Sequence, residues 1–298
     1  MRTTRRFVIL FALGLLGALI AGCGAGGSGD VPSPSSSPTP AASTLASSTP
    51  ASAASPASAA SPAGAASSAG VTIRYEGNAQ VELSANGGAR VLIDVYDPAA
   101  LSAPPTADDV LLTTHTHDDH LSRDFQKGFP GRQLFVTEGA IEAPGADVAI
   151  TSIASAHTED DPLLPKNGSD YIFIIDMGGL RIAHFGDIGQ SALTAEQLQA
   201  LGDVDIAVTQ FENSFSHMDA IDKKGFRLME QVKPRLILQT HTSPAAVEHA
   251  ATLWPLLYSE RPQVTVTAER LPAETSLLLL GDDAAFYAGL VLAEKVDW

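Results

Sequence analysis

Val110-Leu111-Leu112-Thr113-Thr114-His115-Thr116-His117-Asp118-Asp119-His120 is the stretch on which the reading of this chain turns. A run of apolar and β-branched residues leads straight into three histidines and two aspartates. Away from a metal, so many titratable groups at the end of a buried strand would repel one another when charged and strand donors when neutral. A divalent cation removes that conflict. Alternate side chains of extended backbone point the same way, so His115 and His117 can reach one ion. The chain must then turn for Asp119 and His120 to reach a second, and two-metal hydrolytic sites hold their ions roughly 3.5–4 Å apart. The expectation is therefore a pair of divalent metal ions. Imidazole and carboxylate donors suit zinc, and the absence of a cysteine donor leaves manganese or iron open.

Outward from this cluster the pattern is first strand-rich and then mixed. Residues 71–75, 80–83 and 90–95 are short alternating or apolar runs separated by Gly/Asn turns, and strand-like runs recur at 134–137, 148–153, 171–175 and 180–184. Thr194-Ala195-Glu196-Gln197 has the spacing of a capping box, 220–232 has helical periodicity, and Ser243-Pro244 sets a cap and a first-turn proline before a helix over 245–257. Buried strands are expected at 205–209 and 235–239, with 264–268 and 277–280 finishing the chain. This alternation predicts a layered α/β domain over 71–298.

The first 70 residues read differently. Arg2, Arg5 and Arg6 precede an apolar run over 7–21 that is short for a bilayer span, and Ile20-Ala21-Gly22-Cys23 closes it with small residues before the chain's one cysteine. That ending resembles a bacterial lipobox, which implies a signal peptide over 1–22, export, and a membrane anchor through lipidated Cys23. From 24 to 70 the sequence is almost wholly Ser, Ala, Pro, Thr and Gly, too poor in apolar surface to offset its ordering entropy, and reads as a tether. A formal charge of -16 argues against a phosphate-tracking groove, so no nucleic-acid partner is expected.

His-x-His-x-Asp-His after a hydrophobic strand is the signature of the metallo-β-lactamase superfamily, and the rest of 71–298 resembles that family in order. Asp94 matches its early structural aspartate. His157, in Ala154-Ser155-Ala156-His157, resembles the third histidine of the first metal. Asp187, after Phe185-Gly186, resembles the carboxylate that bridges both ions, and His241, after 236–240, the last histidine of the second. The resemblance implies a four-layer αββα sandwich and metal ligands His115, His117, Asp119, His120, His157, Asp187 and His241. Gly77-Asn78-Ala79, residues 171–175 and residues 181–187 look like the ascorbate-6-phosphate lactonase-like branch. His184, on the same strand as Asp187 but pointing oppositely by simple alternation, is expected beside the site and not in it. The segment 211–219, Phe-Glu-Asn-Ser-Phe-Ser-His-Met-Asp, departs from that branch, where a glycine-rich loop is common. A surface loop is the expectation there, with Asn213 or His217 as candidates to enter the pocket. His249 is expected at the surface.

What the resemblance implies chemically is hydrolysis of a small-molecule ester, lactone or phosphoester by a metal-bound hydroxide, the ions lowering the pKa of a shared water. Asp119 and His120 carry the catalytic assignment as well as ligation, Asp119 orienting the hydroxide. Two other classes stay open: an iron-dependent oxidoreductase on the same fold, and a surface lipoprotein that binds a ligand or metal without turnover.

Overall fold

Period-two runs become strands here because both of their faces find something apolar to bury against. The computed structural model describes residues 70–85, 88–142, 148–163, 168–287 and 289–298; the leader, Cys23 and the tether readings lie outside them. Strands β1 (Val71–Tyr75), β2 (Val81–Ala85) and β3 (Arg90–Ile93) form an antiparallel meander, to which β4 (Val110–Thr113) adds in parallel. A short helix, α1 (Arg123–Gly128), crosses over to β5 (Arg132–Phe135), parallel to β4. The strands β6 (Gly139–Glu142), β7 (Val148–Ser155), β8 (Asp170–Met177) and β9 (Leu180–His184) are successive antiparallel neighbours in a second sheet.

Helices then alternate with parallel strands: α2 (Ala195–Leu201), β10 (Ile206–Thr209), α3 (Lys224–Val232), β11 (Leu236–Gln239), α4 (Pro244–Leu253) and β12 (Leu256–Ser259). The chain ends with β13 (Gln263–Val266), β14 (Ser276–Leu280), α5 (Gly281–Tyr287) and β15 (Ala293–Lys295). Strand β13 leaves this series to pair with β1, so one sheet runs β13-β1-β2-β3-β4-β5 and the other β15-β12-β14-β11-β10-β9-β8-β7-β6. Among the described residues no helix is long and apolar enough to cross a membrane.

The layers follow from which side chains share a cluster. Val71, Ile73, Leu83, Val91, Ile93 and Leu112 of the first sheet meet Phe173, Ile175, Ile182, Val208 and Leu238 of the second, a dry interface between sheets. The alternate residues of the second sheet, among them Ile172, Ala183, Ala207, Ile237 and Leu277, turn outward against Leu201, Phe226, Leu228, Val247 and Tyr287 of the helices. On the far side, Leu92 and Leu111 pack against Phe129 and Phe125 at α1. Each fully buried Val, Leu, Ile or Phe side chain among these contributes about 1.5–3 kcal/mol of transfer free energy. The result is the expected α/β sandwich of two sheets with few helices, its outer layer over the first sheet reduced to one short helix.

Three expectations need correction. The helix read over 245–257 stops at Leu253 because Trp254, preceding Pro255, is driven to extended backbone (φ -136°, ψ 149°), and residues 256–259 become β12, parallel to β14. The helix read from 220 starts at Lys224, after a turn that Asp219 closes by accepting from the Ile221 and Asp222 amides, both at 2.7 Å. The strand read at 134–137 lies two residues earlier, and Val136 leaves it with φ 47°. The capping box of α2 and the Ser243 cap of α4 are as read.

Candidate metal centre

Parallel strands place their carboxyl ends at one edge of a sheet, and the chemistry gathers there. Strand β4 delivers His115, β9 delivers Asp187 and β11 delivers His241; β7, two strands from β9 and running the same way, delivers His157. After β4 the chain tightens into a turn in which the His120 amide donates to the His117 carbonyl at 3.0 Å, folding Asp119 and His120 back under the strand end.

Seven side chains fall into two groups. Ligating atoms of His115, His117, His157 and Asp187 all lie within 4.8 Å of one another, and so do those of Asp119, His120 and His241. Asp187 stands between the groups with one oxygen for each. Its Oδ2 is 3.7 Å from His115 Nε2 and 3.8 Å from His157 Nε2, while its Oδ1 is 3.2 Å from His120 Nε2 and 3.4 Å from His241 Nε2. Asp119 Oδ2, on a half-exposed side chain, is 3.8 Å from His241 Nε2. Donors around a tetrahedral zinc, bonded at about 2.0–2.1 Å, are separated by roughly 3.3–3.4 Å. The observed spacings bracket that value.

The donors are also left without partners. His115 Nε2, His157 Nε2 and Asp187 Oδ1 are buried with no hydrogen bond, an arrangement that costs about 1–3 kcal/mol per group unless something ligates it. For His120 and His115 the other ring nitrogen, Nδ1, is engaged, which sets the tautomer. His120 Nδ1 donates to Asp94 Oδ2 at 2.9 Å, and His115 Nδ1 lies 3.0 Å from Thr114 Oγ1 and 3.3 Å from Asp170 Oδ1. Each proton held on Nδ1 leaves the Nε2 lone pair facing the centre. This donor set fits divalent cations.

Burial and charge work against each other in the protonation states. Burial alone would raise the Asp187 carboxyl, but the His120 and His157 imidazoles hold it well below the usual carboxylate range. Asp94 is likewise lowered by His120 against its complete burial. Burial alone would lower His120, yet Asp94 and Asp187 raise it well above the usual imidazole range. His241 is lowered by burial and by His120, and His117 by burial and by His115 and His157.

Four supporting residues, Asp94, Asp170, Gly186 and Asn213, complete the centre. Asp94, fully buried just past β3 at φ 50°, accepts from the Thr114 amide and hydroxyl, each at 2.8 Å, as well as from His120. Asp170, fully buried at the start of β8, accepts from Ser155 Oγ at 2.8 Å and from the Asp187 amide at 3.3 Å while facing His115. Its place was not foreseen; an acid opening the buried run 171–175 was the available signal. Gly186, at φ 55°, is required there, since a Cβ would lie 2.4 Å from Asp170 Oδ1. Asn213 is buried and donates to Asp187 Oδ2 at 2.6 Å, whereas His217 is exposed. His184 is buried outside both groups, its Nδ1 accepting from the Gly186 amide at 3.2 Å. His249 is half-exposed at the surface, as expected, and packs edge-on against Phe226 at 4.6 Å.

A hollow of about 420 Å³ opens over the centre, with His115, His117 and His157 on its lining together with Val136 and Phe215. A larger one, about 670 Å³, lies by Arg74, Tyr75 and Asp283; it holds no donor cluster among the described residues, and Arg74 there is paired with Glu76 at 2.6 Å.

Comparison with known proteins bears on the family and the fold. The family model for the beta-lactamase superfamily domain matches residues 72–241. A protein from Thermotoga maritima assigned as a Zn-dependent hydrolase of the metallo-beta-lactamase superfamily is 17% identical, with a TM-score of 0.51 over 71% of this chain and 98% of its own. Igni18, a metallo hydrolase from the archaeon Ignicoccus hospitalis, is 19% identical, with a TM-score of 0.43 over 62% and 90%. The metallo-beta-lactamase fold protein YhfI from Bacillus subtilis is 12% identical, with a TM-score of 0.46 over 70% and 96%. At 17% identity the likeness to the Thermotoga maritima protein speaks to the fold alone. No curated protein sequence matches the chain.

Proposed function

The chain belongs to the beta-lactamase superfamily, and from that premise we propose that it is a metal-dependent hydrolase of a small-molecule ester, lactone or phosphoester. The observation that carries the reading is Asp187, which offers one oxygen to His115 and His157 and the other to His120 and His241. That arrangement favours two ions, and its nitrogen and oxygen donors favour zinc. When bound, such ions supply a water acidic enough to deprotonate near neutral pH and a Lewis acid for the scissile bond.

The chain's own residues do the rest. Asp94 keeps the His120 proton on Nδ1, and the Thr114 hydroxyl and Asp170 do the same for His115. Asp119, the half-exposed acid of the cluster, is placed to hold the proton released by the attacking water and to orient that water. The buried carboxylates and orphaned imidazoles pre-form the site, so little reorganisation is needed on binding.

Gly77-Asn78-Ala79 and the run 181–187 support placement in the lactonase-like branch, and the lipobox-like ending at Cys23 supports export and anchorage through that cysteine by the 24–70 tether. The decisive experiment measures metal content by mass spectrometry beside turnover of ester, lactone and phosphodiester substrates. His115→Ala with His117→Ala is expected to abolish both metal uptake and turnover. Full turnover in metal-free protein would refute the mechanism. Mass analysis of the membrane-extracted chain for a diacylglyceryl Cys23 tests the anchor.

A further inference from the structure

The segment between β10 and α3 is built as a rigid bracket fastened to the metal centre. Asn213 joins the two: its Nδ2 donates to Asp187 Oδ2 at 2.6 Å and its Oδ1 accepts from the Phe215 amide at 2.9 Å. Its backbone pairs with Met218 in both directions, at 2.8 and 3.0 Å, closing the loop on itself. Ser216 Oγ adds a bond to the Asp187 carbonyl at 2.9 Å. Phe211 and Met218 are buried in the helix-side core, which roots the bracket.

Phe215 is the exception. It is 73% exposed at the tip of a loop otherwise pinned by buried bonds. A single exposed aromatic is ordinary on a protein surface. This one, however, lines the hollow over the metal centre and stands with its ring 6.1 Å from that of His117, inclined at 61°. Among the described residues, Val136 is the other hydrophobic side chain of that lining. An apolar ring is thus presented beside the ligand histidines on a backbone already fixed before an incoming molecule binds.

Resting on the reading of this centre as hydrolytic, we infer that Phe215 is a specificity platform that seats an aryl or similarly planar apolar group next to the scissile bond. The substrates favoured are then esters or lactones carrying such a group. Ring stacking and the apolar area it covers make an aryl substituent bind roughly tenfold better than a methyl. Asn213 acts as a positioning residue, transmitting the location of Asp187 to the platform.

The test uses full-length zinc-loaded protein titrated calorimetrically with benzohydroxamate and acetohydroxamate, which share a chelating head and differ by ring against methyl. Wild type is expected to prefer benzohydroxamate by roughly tenfold, Phe215→Ala to reduce the preference to about twofold or less, and Phe215→Tyr to retain it. Zinc content should be unchanged in both variants, since Phe215 offers no donor atom to the centre. A wild-type ratio near unity, failure of both probes to bind, or a preference that survives Phe215→Ala overturns the proposal. Parallel assays with phenyl acetate and ethyl acetate separate the two claims. Ring preference in binding without turnover of these esters or of the lactone and phosphodiester panel sinks the hydrolytic reading and leaves the platform standing; turnover without ring preference does the reverse.

Discussion

Replacing Asp94 by Asn tests the centre at its most enclosed point, because it removes one acceptor and one charge while leaving the backbone at ease. Asp94 sits at φ 50°, a region that Asn tolerates nearly as well as Asp. The carboxylate accepts from three donors: the Thr114 amide at Oδ1, and the Thr114 hydroxyl and His120 Nδ1 at Oδ2. An amide has only one oxygen. Turned with its NH₂ toward the Thr114 amide, it sets a donor against one fixed donor, the Thr114 N–H, at a cost of about 1–3 kcal/mol. Turned the other way, the Thr114 hydroxyl can rotate to accept, and His120 must present a lone pair at Nδ1. Its proton then moves to Nε2, the atom 3.2 Å from Asp187 Oδ1 that a cation would otherwise take. Loss of such a supporting carboxylate lowers metal affinity by roughly 10–100-fold. Asp94→Asn is therefore expected to weaken zinc binding in chelator competition by that factor, and to cost the metal-free protein about 1–3 kcal/mol in urea unfolding. Zinc affinity within about twofold of wild type would show that the Asp94 to His120 bond does not set the tautomer, and the reasoning would fall.

Gly186→Ala forces a Cβ to 2.4 Å from Asp170 Oδ1 and 2.8 Å from Thr114 Cβ at φ 55°, and should cost about 2–4 kcal/mol in chemical denaturation with partial loss of metal. Phe226→Ala removes a buried ring stacked on Phe211 at 4.4 Å and should cost about 3–5 kcal/mol, read as a shifted urea midpoint with an unchanged slope. Asp109 is raised by burial but lowered overall by Arg90, which reaches it at 2.7 Å, and by the Thr106 and Arg90 amides. A folded pKa below the unfolded value means stability that is present above the unfolded value, near 3.9, and lost as pH falls through the folded one. Asp109→Asn should thus destabilise by about 2 kcal/mol at neutral pH, with the difference from wild type closing below about pH 4 in pH-dependent melts.

Much of this architecture is legible along the chain because its signals are local. The run 110–114 announces a buried strand, and His115, His117, Asp119 and His120 announce a cation within a few residues of one another. His157, Asp187 and His241 carry no such local signal; each is a polar residue after a strand, named only through a family resemblance. Asp170 and Asn213 were harder still, because an acid before a strand and an asparagine in a loop are common in any sequence. The helix read through residues 254–257 failed for a different reason: a short apolar run suits helix or strand, and Trp254-Pro255 with the open flank of β14 decided for strand.

What the sequence by itself determined was the alphabet of this protein: strand and helix periods, caps, and a donor set that no fold would bury without a cation. Only the tertiary structure decided that Asp187 divides its two oxygens between two groups of histidines, that Asp94 and Asp170 brace those groups from behind, and that Asn213 ties a phenylalanine to them. The reason is physical. Periodicity and capping are settled by neighbours in the chain, whereas a polar group's partners are settled by which strand ends the packing of two sheets brings to one edge.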